Sequence, residues 1–244
     1  MRLDKFLSST GRLSRSQASR AARAGEITVN GAAVRAADTH INPETDEIAW
    51  RGEVLNWRQH IYVLLNKPDG YVSATEDGRD RTVLELLPEE LQRRGLFPCG
   101  RLDKHTLGLM LLTDNGPLAH RLLAPKTHVE KTYAFTLREP IDPEAVRRLE
   151  KGVWLIDGVG ERYLTKPCTI ALSADCTGGT VTLTEGKYHQ VKRLFEEAEN
   201  KVVTLERITF AGLTLDGLPE RGQWRYLTAE EEQMLLARLS SPSM

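Results

Sequence analysis

The chain has 244 residues, 40% of them hydrophobic and 27% charged, with a formal net charge of −1. This suits a water-soluble globular protein with one small and one larger domain. No apolar run approaches the roughly 20 residues needed to cross a bilayer, and the opening MRLDKFLSSTGRLSRSQ lacks the apolar core of a secretory signal. Three cysteines, Cys99, Cys168 and Cys176, are odd in number and have no metal-ligand spacing, so a reducing cytoplasm without disulfides, metal or cofactor is expected.

In chain order, the first signal is electrostatic. Arg2, Lys5, Arg12, Arg15, Arg20 and Arg23 face a single acid, Asp4, within the first 25 residues. Such a local excess is the footprint of a surface that meets phosphates, although a basic run is also simply a well-solvated face. Leu3, Phe6 and Leu7 have helical spacing, and Ser14 with Gln17 predicts a capping box opening a second helix. Ala18, Ala21 and Ala22 form that helix's narrow inner face, Gly25 stands at its C-terminal glycine position, and Arg15, Arg20 and Arg23 are left outward. The run EITVNGAAV predicts a hairpin turning at Asn30-Gly31. The order RLDKFL, SRSQA, ITVNG resembles the alpha-L RNA-binding domain over about residues 1–50. That resemblance implies RNA contacts from Arg2, Lys5, Arg15, Arg20 and Arg23. Residues 51–59 are polar and read as a linker, with an edge around Val54 and Leu55.

Residues 60–244 form the second expected domain. IYVLLNKP predicts a buried strand ending at Pro68, with a turn through Gly70 into YVSAT. In HVEKTYAFTL, Val129, Lys131, Tyr133, Phe135 and Leu137 share one strand face. Asp142-Pro143 caps a helix carrying Ala145, Val146 and Leu149, and GTVTLTEG is a further strand. Val191, Leu194, Phe195 and Ala198 have the spacing of a helix lying on a sheet. VVTLERITFAGLTL is strand-like, and Thr228 with Glu231 caps a last helix. Elements that mix without a βαβ beat predict an α+β domain whose mixed sheet is mainly antiparallel and flanked by helices.

One segment stands out chemically. In FPCGRLDKHTLGLMLLTDNG, Asp103 lies in a turn between Gly100 and Gly108, just before the apolar strand Leu109–Leu112. A carboxylate there is held by a rigid element yet is reachable, although a lone aspartate is also an ordinary turn residue. GRLDKHTLGL resembles the signature of the RsuA branch of pseudouridine synthases, and LLNKPDGYVSAT, EKTY and TEGKYHQVKRLF resemble further motifs of that family in the same order. HQVKRLF and NKPDGYVSAT sit nearest the small-subunit type. His105 departs from the family pattern, which commonly has an acid there.

The resemblance implies isomerisation of uridine to pseudouridine in 16S ribosomal RNA, at uridine 516, with the same chemistry on 23S rRNA or a non-catalytic assembly factor as the alternatives. It implies no cofactor. The partner is ribosomal RNA, within a small-subunit assembly intermediate, with no membrane and no obligate protein partner. Asp103 becomes the catalytic carboxylate, acting as nucleophile or base, and Lys192 the cation beside it, which would favour its charged form. Tyr133 would pack on the target uracil and Arg101 would fill the space left by the flipped base. The plain alternatives are a solvated helix lysine, a sheet-core tyrosine and a surface arginine paired with a nearby acid.

Overall fold

The N-terminal signals are realised almost residue by residue in the computed structural model, which describes residues 1–240. Leu3, Phe6 and Leu7 lie buried along α1 (Leu3–Ser9). Helix α2 (Arg15–Arg23) opens with the reciprocal capping box of Ser14 and Gln17 and buries Ala18, Ala21 and Ala22. Strands β1 (Ile27–Val29) and β2 (Ala32–Ala33) turn at Asn30 and Gly31, both at positive φ, the turn whose twist matches paired strands. Strands β3 (Ile48–Trp50) and β4 (Glu53–Val54) complete a four-stranded sheet in the order β2-β1-β3-β4, so the expected linker begins with a paired strand.

This first unit comprises residues 1–61 and also residues 84–96, which chain order alone would assign to the second domain. The later segment includes a short helix, α3 (Glu89–Gln92). A Cβ on Gly11 would lie 2.2 Å from the Glu90 carbonyl oxygen, so glycine at this positive-φ position permits the close approach.

The second unit comprises residues 62–83 and the chain from 97 onward. Its strands are β5 (Tyr62–Lys67), β6 (Phe97–Pro98), β7 (Leu107–Thr113), β8 (Lys131–Leu137), β9 (Trp154–Ile156), β10 (Arg162–Leu164), β11 (Thr169–Leu172), β12 (Gly178–Leu183), β13 (Val202–Phe210), β14 (Leu213–Thr214) and β15 (Trp224–Tyr226). Nine of these form one sheet along β11-β12-β8-β13-β7-β5-β15, with β14 on β13 and β6 on β7, while β9 and β10 pair separately. The β13–β7 pairing is parallel and its neighbours are antiparallel. The run expected as one strand from Val202 is broken at Ala211 and Gly212, both at positive φ, into β13 and β14.

Helices α4 (Gly116–Leu123), α5 (Pro143–Glu150), α6 (Gln190–Glu196) and α7 (Ala229–Ser240) flank this sheet. Leu118, Leu122 and Leu235 join Tyr62, Leu64, Leu109, Leu111 and Phe210 in one core. Ala198 falls in the turn after α6, while Val191, Leu194 and Phe195 are buried as their spacing predicted. Among the described residues no helix is long and apolar enough to cross a membrane.

Candidate active site

The site is built on the turn between β6 and β7. Gly108 adopts φ +96°, and a Cβ there would lie 2.3 Å from the Arg207 carbonyl oxygen. Its missing side chain lets β7 run against β13 and aims the preceding turn. The turn is closed by Thr106 N–H donating to the Asp103 carbonyl at 3.0 Å.

Five polar contacts from the segment after β5 brace it. Ser73 Oγ donates to the Leu102 carbonyl at 2.8 Å and accepts from Leu102 N–H at 3.0 Å. Gly70 N–H donates to the Lys104 carbonyl at 3.1 Å, Lys104 pairs with Asp80 at 2.6 Å, and His105 meets Asp69 at 2.8 Å. The His105 bond is the main reason the Asp69 carboxyl lies below the usual range. The family departure at His105 is thus matched by its own acid.

Beneath the turn lies Lys67, fully buried at the end of β5. Its ammonium donates to the carbonyls of Thr106 at 2.8 Å, Lys104 at 3.0 Å and Pro68 at 3.2 Å. Burial pushes it down to about 8, against the upward pull of Asp69 and Asp103. Three carbonyls on one ammonium use all its donors, which is how a charge is tolerated there.

Asp103 itself holds a cation at one oxygen and an imidazole at the other. Lys192 Nζ donates to Oδ2 at 2.7 Å, and His189 Nε2 lies 3.3 Å from Oδ1. The Asp103 and Lys192 side chains are each 30% exposed, so the carboxylate is held yet open to a substrate. Lys192 reaches it because α6 is anchored by Val191, Leu194 and Phe195, with the Phe195 ring 4.5 Å from Phe135 on β8. His189 stands at the start of α6 in the left-handed region, φ 51°. Gln190 fixes the approach, accepting from Lys187 N–H at 2.9 Å and donating to Glu185 at 2.5 Å.

The remaining expected residues fall into two groups. Tyr133 is 9% exposed and lies in the cross-strand row Tyr133–Arg207–Gly108–Lys67, in line with both the glycine and the lysine that shape the turn. Arg101 is exposed and makes no hydrogen bond or ion pair with the described residues. In the first unit, Lys5, Arg15, Arg20 and Arg23 are exposed and form no ion pair among the described residues. Arg2 differs: it makes two bonds to Asp4, at 3.1 and 2.8 Å, because that acid is its near neighbour, and so it is less available to phosphate than expected.

His189, Lys67 and Ser73 escaped the reading of the sequence as site residues. His189 lies in the quoted TEGKYHQVKRLF, three residues before Lys192. Lys67, a cation closing a strand that is apolar up to Asn66, was a visible anomaly. Nothing local marks Ser73.

The arrangement offers a reachable carboxylate with two nitrogen groups on it, suited to nucleophilic attack or proton abstraction. A family model for RNA pseudouridylate synthase matches residues 61–197, and one for the S4 domain matches residues 1–48. The chain is 42% identical over 233 residues to the Escherichia coli K12 protein named ribosomal small subunit pseudouridine synthase A, covering 95% of this chain and 98% of the relative. It is 39% identical over 231 residues to the Vibrio cholerae protein of the same name, covering 95% and 97%. It is 43% identical over 238 residues to the uncharacterized RNA pseudouridine synthase YtzG of Bacillus subtilis, covering 96% and 98%. A solved structure described as a pseudouridylate synthase matches with TM-score 0.66 and 38% identity, covering 96% of this chain and 99% of that one.

Proposed function

The chain belongs to the RNA pseudouridine synthase family, and from that premise we propose that it isomerises one uridine of 16S rRNA, uridine 516, within a partly assembled small subunit in the cytoplasm. The observation that carries the catalytic reading is the 2.7 Å contact between Asp103 and Lys192, 89 positions apart in sequence.

The reaction breaks the bond from ribose C1′ to uracil N1, turns the base, joins C1′ to C5 and releases the C5 proton. Asp103 acts in one of two ways. It attacks C1′ as N1 departs and is then displaced from C1′ by C5, or it removes the C2′ proton as N1 departs to give a glycal, to which C5 adds at C1′ as the proton returns to C2′. Lys192 supports the anion that either route needs. Tyr133 packs on the extruded uracil, and unpaired Arg101 takes the vacated space and meets backbone phosphate. The exposed guanidinium groups of α2 select the RNA by shape and phosphate position.

The test is to incubate the purified protein with free 16S rRNA, free 23S rRNA and 16S rRNA carrying small-subunit proteins, then map every modified site. Pseudouridine at the one 16S position, formed fastest on the protein-bound RNA, is expected. Modification confined to 23S rRNA would transfer the assignment to the large subunit, and no modification of any rRNA would remove it.

A further inference from the structure

Strands β9 and β10 form a hairpin outside the nine-stranded sheet. Leu164 pairs with Trp154, and Arg162 with Ile156, so these four side chains share one face. Three large apolar groups stand on it in water: Trp154 is 53% exposed, and Ile156 and Leu164 are similarly open. On the alternate positions Leu155 is buried and Tyr163 lies beneath Lys187, 5.4 Å from its ring centroid. A hairpin that needed only its own stability would bury its tryptophan and expose polar groups instead.

The exposed face carries a guanidinium beside its aromatic ring, and the hairpin turn touches the residues next to the Asp103 site. The Arg162 guanidinium sits 5.2 Å from the Trp154 ring centroid. Arg193 donates to the Ile156 carbonyl and lies 5.1 Å from the ring centroid of Tyr188, which is 55% exposed. Tyr188 stacks on His189 at 3.8 Å, and His189 is the imidazole beside Asp103. A Cβ on Gly158, in the hairpin turn, would lie 3.0 Å from the Tyr188 ring, so turn and ring are in close contact. Both acids of that turn keep their charge: Asp157 accepts from the Val159 and Glu161 N–H groups, which holds its carboxyl below the usual range, and Glu161 forms no ion pair among the described residues. Arg162 on this face, Arg193 at its edge and Lys187 on the reverse side set three cations against those two acids.

We propose that the outer face of the β9–β10 hairpin, continued by Tyr188, is a stacking platform for unpaired nucleotides flanking the target uridine. It rests on the reading of the Asp103 site as acting on RNA. Rings and guanidinium planes hold splayed bases whatever their sequence, and the cations meet the connecting phosphates. The occupant is RNA rather than a protein because the hairpin turn meets Tyr188, which stacks on the His189 beside the carboxylate that the strand must reach.

The experiment compares the wild-type chain with Trp154→Ala, Trp154→Phe and Arg162→Ala. Two 16S fragments are used: one trimmed to the target loop, and one extended on both sides by single-stranded RNA. Trp154→Ala should weaken binding of the extended fragment about tenfold and leave the trimmed one unchanged, with Trp154→Phe close to wild type. The single-turnover rate at saturating RNA should stay within about twofold of wild type, since stacking on flanking bases adds binding and not chemistry. Photoactivatable uridines beside the target should crosslink to the Trp154 or Tyr188 peptide. Equal affinity of wild type and Trp154→Ala for the extended fragment would overturn the proposal, as a protein-docking face would produce. Equal weakening by Phe and Ala would also overturn it. A wild-type chain that bound RNA through this face yet formed no pseudouridine would overturn the catalytic reading alone.

Discussion

The two units use positive charge in opposite ways. In the first, Arg15, Arg20 and Arg23 project from a helix whose inner face is alanine, and none of them forms an ion pair among the described residues. In the second, three cations around Asp103 are committed, Lys192 to the carboxylate, Lys67 to three carbonyls and Lys104 to Asp80, while Arg101 makes no hydrogen bond or ion pair with the described residues. Free charges on a surface attract a polyanion at long range and are screened by salt, whereas committed ones shape a site. Recognition and chemistry are thus separable here, and substitutions should separate them.

The largest expected effect is that of Asp103→Asn. It removes the proposed nucleophile or base while keeping the shape, and turnover should fall to about a thousandth of wild type or less. RNA binding should persist, because a charge that repels phosphate has been removed; rapid-quench assays and filter binding on the same preparation measure both. Lys192→Met should follow, lowering the single-turnover rate at saturating RNA about a hundredfold, with Lys192→Arg recovering part of the loss. A lysine that were merely solvated would leave the rate unchanged.

Exchanging Arg15, Arg20 and Arg23 for Gln should do the reverse. Affinity for rRNA should drop, and the slope of log affinity against log salt should flatten by about two to three, with the rate at saturation intact. If the slope kept its steepness, α2 would not be the phosphate-binding face. Preference for protein-bound 16S over a bare target loop should erode in the same variant.

The smallest effect is on stability. Burial pushes both Lys67 and Lys131 down to about 8, below the lysine value in an unfolded chain. Between about pH 8 and 10.5 the unfolded chain therefore holds more protons than the native one, and stability rises with pH across that window. Urea midpoints at several pH values should show this rise, and Lys131→Met should reduce its slope. A flat profile would mean that neither lysine is buried as described.

The same comparison explains what could be read before any coordinates. Capping boxes, an Asn-Gly turn and alternating strands are encoded within a few residues, so α1, α2, the β1–β2 hairpin and β8 follow from spacing alone. Short pieces without periodicity were not legible: β9, β10, β11 and β15 run to three or four residues each. The strand character of β15 comes from a partner distant in the chain, β5, whereas β9–β10 and β11–β12 are local hairpins too short to show a period. Residues 84–96 likewise join the first unit through a glycine at position 11 that only the folded contact explains.

Sequence by itself determined the chemical candidates: a carboxylate in a glycine-flanked turn, a late basic motif, a tyrosine on an alternating strand and an arginine-rich helix. These are properties of residue type and short spacing. Only the tertiary structure decided which groups meet Asp103. Lys192 comes from α6 across 89 positions. His189 approaches the second oxygen through a left-handed backbone position. Lys67 turns from an oddity at a strand end into the clamp beneath the turn. Such contacts depend on parallel and antiparallel registers set by burial of a whole sheet, and no window of a dozen residues contains that information.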